Sequence, residues 1–134
     1  ETASAHANAS AKVRMAALIR SYAHYAAAQP ALHRMLVLEA GQGGPRLDWL
    51  VSKYLRPLVT AMTTDLRELQ KQRVAVHGHA SLLANMIRLL AAGLPALCHE
   101  AKKSSNVDLQ SMSGIDAMAE LVVSVFLPGD DPVP

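Results

Sequence analysis

The chain has 134 residues, 51% of them apolar, with 4% aromatic residues and a formal net charge of +2. This length suffices for one domain with a real core but is too short for two ordinary domains. The small charge, without a run of Lys or Arg, argues against a nucleic-acid surface on this chain itself. Because Ala and Leu dominate, the composition favours helix over sheet and predicts an all-α protein.

No uninterrupted apolar run reaches the roughly 18 to 20 residues of a membrane span. The nearest run, 89–98, is shorter and contains Gly93 and Pro95. No charged start followed by an apolar core and a cleavage site indicates a signal peptide. The single cysteine, Cys98, excludes an internal disulfide, which fits a reducing compartment. We therefore expect a cytoplasmic protein with no membrane partner.

One domain is expected over residues 11–129. Residues 1–10 are small and polar and predict a disordered lead-in, and residues 130–134 form a short tail rich in Asp and Pro. No internal repeat or long low-complexity segment marks a second unit. The chain is therefore predicted to fold as a single unit.

Three helices are predicted in the first half of the chain. Apolar residues recur at helical spacings over 11–28, 30–40 and 45–69. The second and third helices each begin with a proline, which fits the first turn of a helix. Pro57 lies inside the third pattern and removes a backbone hydrogen bond there. A kink, or two helices meeting end to end, is therefore expected at this proline.

Two further predicted helices, 79–103 and 114–127, organise the chain. Leu89, Leu121, Val125 and Leu127 carry apolar surface beyond the main stripe, so neither helix covers a core on one side only. Two such helices can pack together and still need a partner, and a symmetric dimer is the commonest solution. We expect a four-helix-bundle homodimer interface that contains Leu83, Met86, Ile87, Leu90, Leu94, Leu97, Ile115, Met118, Val122 and Phe126.

No catalytic or metal-binding set can be recognised in the sequence. His77 and His79 lie close together, but His99 and Glu100 lie about six helical turns away. Cys98 falls on the apolar stripe, which favours a small packed residue over an activated nucleophile. We therefore predict no metal, no cofactor and no enzyme activity.

A ligand cavity among the first three helices is the better-supported hypothesis for a site. Large or adaptable apolar side chains line pockets between helices, and Tyr and Trp add a polar atom each. A solid core built from the same residues is the open alternative. The candidate ligand-binding residues are Met15, Leu18, Tyr22, Met35, Leu38, Trp49, Tyr54 and Met62.

Six short motifs follow one another along the chain. They are 30–41 (PALHRMLVLEAG), 45–50 (PRLDWL), 54–57 (YLRP), 91–95 (AAGLP), 113–116 (SGID) and 126–129 (FLPG). In this order they resemble the C-terminal domain of TetR-family transcription regulators. Each motif is loose, and the order carries the resemblance over most of the chain, from about residue 11 to 129.

The resemblance implies a helical effector-binding domain whose last two long helices form the homodimer bundle. Family members have, N-terminal to this domain, a helix-turn-helix domain that binds operator DNA. That domain has no counterpart before Ala11, so operator DNA would be reached only through a missing N-terminal domain. A small, largely apolar effector would change operator binding through its different affinities for two states. Effector pockets of the family share no motif, so no ligand residue is carried over.

Two other classes of function stay open at this point. The first is a ligand-free helical homodimerisation module, in which the early helices form solid core. A ligand that binds only the folded state would raise thermal stability and so distinguish the two. The second is a small helical enzyme, which has little support without an acid-base pair, a nucleophile or a metal set.

Overall fold

The computed structural model describes residues 10–106 and 112–130, and this part of the chain is helical without any strand. The all-α prediction is therefore confirmed. Residues 1–9 of the predicted lead-in and 131–134 of the predicted tail lie outside the described residues. In chain order the elements are α1 (Ala11–Ala28), α2 (Pro30–Gln42), α3 (Pro45–Leu50), a π-helical turn (Val51–Leu55), α4 (Arg56–Lys71), α5 (Ala80–Ser105) and α6 (Met112–Phe126).

The helix α1 begins and ends where the sequence predicts. The hydroxyl of Ser10 accepts a hydrogen bond from the backbone N–H of Val13 at 3.1 Å, which satisfies one of the free donors of the first turn. The helix stops at Gln29, because the residue before a proline is disfavoured in helical conformation. Pro30 then opens α2.

The second helix is longer than predicted. It continues to Gln42, since Gly41 keeps a helical conformation, and the chain reverses only at Gly43 and Gly44. These two glycines have φ of 71° and 100°, angles that other residues rarely adopt. The turn between α2 and α3 is therefore formed by Gly43 and Gly44.

The core lies where α1 contacts α4, α5 and α6. Met15 and Ile19 of α1 are one helical turn apart and are almost fully buried, as is Leu66 of α4. Full burial of such a side chain contributes roughly 1.5–3 kcal/mol. By contrast, α2 mainly contacts α1 and α3, and α3 has no buried residue. The fold is thus a packed four-helix unit with α2 and α3 at its periphery.

The π-helical turn joins α3 to α4 at the position where the sequence predicts a break. The N–H of Arg56 donates to the carbonyl of Val51, five residues earlier, which gives a wider turn than an α-helix. Pro57 then lies in the first turn of α4, where its missing N–H costs little. The structure therefore shows the second of the two predicted outcomes, helices that meet end to end.

The helix α5 is the longest element, with 26 residues, and it ends at Asn106 in left-handed conformation. By length and composition alone it could cross a membrane, with a mean hydropathy of 1.6 over an 18-residue window. Core helices pass the same test. Here Ile87, Ala91 and Leu94 are buried in the core. Because 39% of the residues in this window are buried, packing in the core accounts for only part of the hydropathy of α5.

The end of α6 is fixed against the connection between α4 and α5. The N–H of Val76 donates to the carbonyl of Phe126, and the N–H of Gly129 donates to the carbonyl of Val74, each at 2.9 Å. From α1, the ammonium of Lys12 donates to the carbonyl of Gly129 at 2.6 Å. These bonds set the position of α6 relative to α5, and hence the surface that the two helices present together.

Candidate functional site

A pocket lies between α1, the peripheral helices and the start of α4. Its volume is about 450 Å³, within the range of about 300–1,000 Å³ that small-molecule sites occupy. We call it the aromatic pocket, because four aromatic rings contribute to its wall. It is lined by Tyr22, Tyr25, Leu32, Trp49, Leu50, Tyr54, Leu55 and Leu58.

The rings of Trp49 and Tyr54 fix the outer wall of the aromatic pocket. Their centroids are 5.7 Å apart and their planes meet at 78°, an edge-to-face contact. The ammonium of Lys53 lies 5.4 Å from the centroid of the Trp49 ring, within reach of a cation–π interaction. Both rings remain more than half exposed. The wall is therefore ordered by local contacts and still offers uncovered ring surface to a flat apolar molecule.

The eight predicted ligand-binding residues separate into three groups. Tyr22, Trp49 and Tyr54 line the aromatic pocket. The second group lies in or against the core instead: Met15 and Met62 are 1% exposed, and Leu18 is partly buried against the core. The third group lies on α2, away from the pocket wall, and consists of Met35 and Leu38, both exposed.

Several pocket residues were missed by the sequence prediction. Tyr25 lies three residues after Tyr22 on the same side of α1, which is a signal that helical spacing could have supplied. Leu55 and Leu58 belong to the apolar pattern of the third predicted helix. The side of the helix on which these two leucines lie depends on the π-helical turn. That turn changes the helical register, and the periodicity of the sequence does not predict the change.

A second surface is formed by exposed apolar side chains of α5 and α6. We call it the apolar face. Along α5 the residues follow helical spacing, and in α6 the two are four residues apart. Its members are Leu82, Met86, Leu89, Leu90 and Leu97 of α5 with Leu121 and Val125 of α6, each between 40% and 66% exposed.

The ten predicted interface residues divide between this face and the core. Met86, Leu90 and Leu97 lie on the apolar face. The other seven are buried inside the protomer, since α5 and α6 turn that side toward α1 and toward each other. They are Leu83, Ile87, Leu94, Ile115, Met118, Val122 and Phe126. The apolar stripe in the sequence is thus mostly core, and the exposed face is the second set of apolar positions except Leu127, which is 1% exposed and belongs to the core.

A wide cleft of about 550 Å³ lies where α1, α2, α5 and α6 approach one another. Most of its lining consists of small side chains, including Ala26 and Ala92. Cys98 borders it but is itself buried, with its sulfur 3.4 Å from the sulfur of Met118. In this position Cys98 is a packed residue of the core.

Basic side chains of α1 form contacts with acidic side chains of α4 and α6. Arg20 contacts Glu120 at 3.0 Å, and His24 contacts Asp116 at 2.6 Å, so two acids of α6 face α1. Arg14 donates to Asp65 at 2.9 Å, and this hydrogen bond raises the pKa of the Arg14 guanidinium. Over residues 10–106 and 112–130, no group of three His, Cys, Asp or Glu side chains is placed to hold a metal ion.

Comparisons with protein-family models, curated proteins and solved structures return no match to this chain. The resemblance to TetR-family regulators therefore stays a prediction that rests on the order of the sequence motifs. The aromatic pocket and the apolar face are the two features from which a function can be inferred.

Proposed function

We propose that this chain is the sensing and dimerisation part of a TetR-type transcriptional regulator. In this proposal it forms a homodimer and binds a small, largely apolar effector. Operator DNA is bound by an N-terminal helix-turn-helix domain outside the present sequence. The observation that carries the proposal is the apolar face, which leaves large side chains of two adjacent helices in water. The ordered motifs of the sequence support the same assignment.

The apolar face suits a second copy of the chain. None of its seven side chains is charged, and the centres of protein interfaces are depleted of charge in the same way. Its two helices are neighbours within the protomer, so a two-fold axis through the face brings four helices into one bundle. Leu89 and Leu121 are 59% and 66% exposed. Covering them in a dimer stabilises it through the burial of apolar area, at roughly 25 cal/mol per Å².

The aromatic pocket is the proposed effector site. Trp49 and Tyr54 present ring surface for stacking, and the hydroxyl of Tyr22 can donate or accept a hydrogen bond. The pocket is bounded on one side by α1, which also packs against α5 and α6. A ligand with different affinities for two positions of α1 shifts the population between them, and that shift is the signal to a DNA-binding domain.

The dimer is tested by light scattering on variants of the face. Leu90→Asp and Leu121→Asp each place a charge where the proposal buries it without a partner, so both should lower the mass toward the 14.3 kDa of one chain. Leu38→Asp is the matched control, because Leu38 is 60% exposed on α2, outside the face. Equal masses for the control and both face variants would contradict the proposal.

The pocket is tested with the neutral dye N-phenyl-1-naphthylamine. Trp49 is the single tryptophan of the chain, so dye bound beside it quenches its fluorescence by energy transfer. Tyr54→Ala removes part of the wall and should weaken binding by about tenfold. The control is Met35→Ala, an exposed residue of α2 outside the lining. Dye binding that both variants leave unchanged would remove the pocket from the proposal.

A ligand-free homodimerisation module is the second candidate function. It is favoured by the position of Met15 and Met62, which fill the core where a deeper cavity was expected. In that case the face variants dissociate the dimer as above, but no apolar small molecule raises the thermal stability of the protein. Both candidates predict the same dimer mass. They differ in ligand binding, because only the regulator binds the dye in the aromatic pocket and is stabilised by an apolar ligand.

A further inference from the structure

A small cleft of about 240 Å³ lies where the π-helical turn and the first turns of α4 approach residues 85–88 of α5. It lies below the range of about 300–1,000 Å³ that drug-sized ligands require, so its occupant is small. One part of its wall is apolar and is formed by Val51, Leu55 and Val59. The other part is polar and contains two arginines, and it is formed by Arg56, Thr60, Asn85 and Arg88.

Arg88 is the central polar group of this cleft. Its Nη2 donates to Oδ1 of Asn85 at 3.2 Å, while its Nε is buried and meets no hydrogen-bond acceptor among the described residues. A guanidinium carries five N–H donors and stays charged at every accessible pH. A partly buried charge without a counter-charge is costly. The buried Nε is not open to the cleft, so the groups available to an anion are the terminal N–H groups of Arg88 that Asn85 does not occupy.

Arg56 adds a second positive charge to the same cleft. Within residues 10–106 and 112–130, the ion pairs join Arg14, Arg20 and His24 to acids, and none of them involves Arg56 or Arg88. No acidic side chain lines the cleft. Two guanidinium groups therefore face one small cavity without a counter-charge from the described part of the chain.

We propose that this cleft binds a small organic anion, a carboxylate carried on a short apolar tail. Arg88 and Arg56 bind the carboxylate, because the guanidinium fork matches its two oxygens and such charge-assisted hydrogen bonds are strong. The hydroxyl of Thr60 is a further donor in the polar wall. The tail lies on the apolar wall formed by Val51, Leu55 and Val59.

This site is distinct from both features on which the proposed function rests. Arg88 and Asn85 line the cleft and are not members of the apolar face, although Asn85 lies one helical turn from Leu82 and from Leu89 of that face. The cleft shares only Leu55 with the aromatic pocket. Binding of the anion therefore requires neither the dimer nor the apolar effector.

Calorimetric titration of the purified chain with three probes tests this site. Hexanoate has the charge and the tail, hexanamide has the same shape without the charge, and inorganic phosphate has charge without a tail. We expect hexanoate to bind more tightly than either of the others. Arg88→Met and Arg56→Gln should each weaken hexanoate binding by about tenfold or more, since each removes charge-assisted hydrogen bonds. Arg67→Gln, on the exposed side of α4, is the control and should bind as the wild type does.

Three results would overturn the proposal. Equal binding of hexanoate and hexanamide would show that the arginines do not hold the carboxylate. Phosphate binding as tightly as hexanoate would remove the role of the apolar wall. A loss of dimer mass in Arg88→Met would mean that Arg88 pairs with a second copy of the chain. Arg56 is exposed, so Arg56→Gln keeps the test valid even where circular dichroism shows that Arg88→Met is unfolded.

Discussion

Gly129 lies against backbone where a side chain has no room. A Cβ atom at this position would lie 2.7 Å from Cα of Val74 and still closer to the carbonyl oxygen of Arg73. Both are backbone atoms in the connection between α4 and α5, so no flexible side chain can move aside. Gly129→Ala must therefore displace either this connection or the turn after α6.

The cost of Gly129→Ala follows from the contacts that the displacement disturbs. Overpacking of this kind costs about 1–3 kcal/mol. The hydrogen bonds of Gly129 with Val74 and Lys12 contribute about 0.5–1.5 kcal/mol each, and the displacement weakens both. We expect the free energy of unfolding to fall by about 2–4 kcal/mol. For a domain of this size that corresponds to a decrease in Tm on the order of 10 °C.

Urea unfolding followed by circular dichroism measures this loss. Gly41→Ala is the control, because Gly41 is helical and a Cβ there meets nothing within 4 Å. That change should leave stability unchanged or raise it by up to about 1 kcal/mol, since Ala has the higher helix propensity. If Gly129→Ala and Gly41→Ala unfold at the same urea concentration, the packing of the α6 turn on the α4–α5 connection is wrong.

Three further changes test the packing. Met15→Ala should cost about 2–5 kcal/mol in thermal or urea unfolding, because Met15 is fully buried, whereas Met35→Ala should cost less than about 1 kcal/mol. Similar costs would contradict the assignment of Met15 to the core. Asp65→Asn, which breaks the partly exposed pair with Arg14, should cost only about 0.2–1 kcal/mol in the same assay. Cys98 should resist iodoacetamide until urea unfolds the protein, and rapid alkylation of the folded chain would contradict its burial.

The periodicity of the sequence predicts the helices of the core well, because α1, α4, α5 and α6 each have an apolar stripe that they bury. The break at Pro57 is also predictable, since proline cannot continue the hydrogen bonding of a helix. Its form as a π-helical turn is not, because the choice between a kink and a wider turn depends on the packing of the flanking helices. That turn decides which side of the helix Leu55 and Leu58 present to the pocket.

The division between core and surface is harder to predict from the sequence. Both α5 and α6 are apolar on more than one face. Periodicity alone does not predict which of these faces packs against the other helices of the same protomer. Leu94 and Leu97 both fit a packed stripe, yet one is 2% and the other 41% exposed. Met15 and Met62 suit a pocket or a core equally by residue type, and their burial depends on the packing of α1 against both α4 and α5. Such placements follow from tertiary packing, which no local pattern contains.

The most direct test of the central claim is the molar mass of the unmodified chain by sedimentation equilibrium, measured over a wide range of protein concentrations. A homodimer through the apolar face predicts twice the 14.3 kDa of one chain, independent of concentration in the micromolar range. A mass of one chain at the highest concentration would contradict the account, because the apolar face would then remain in water.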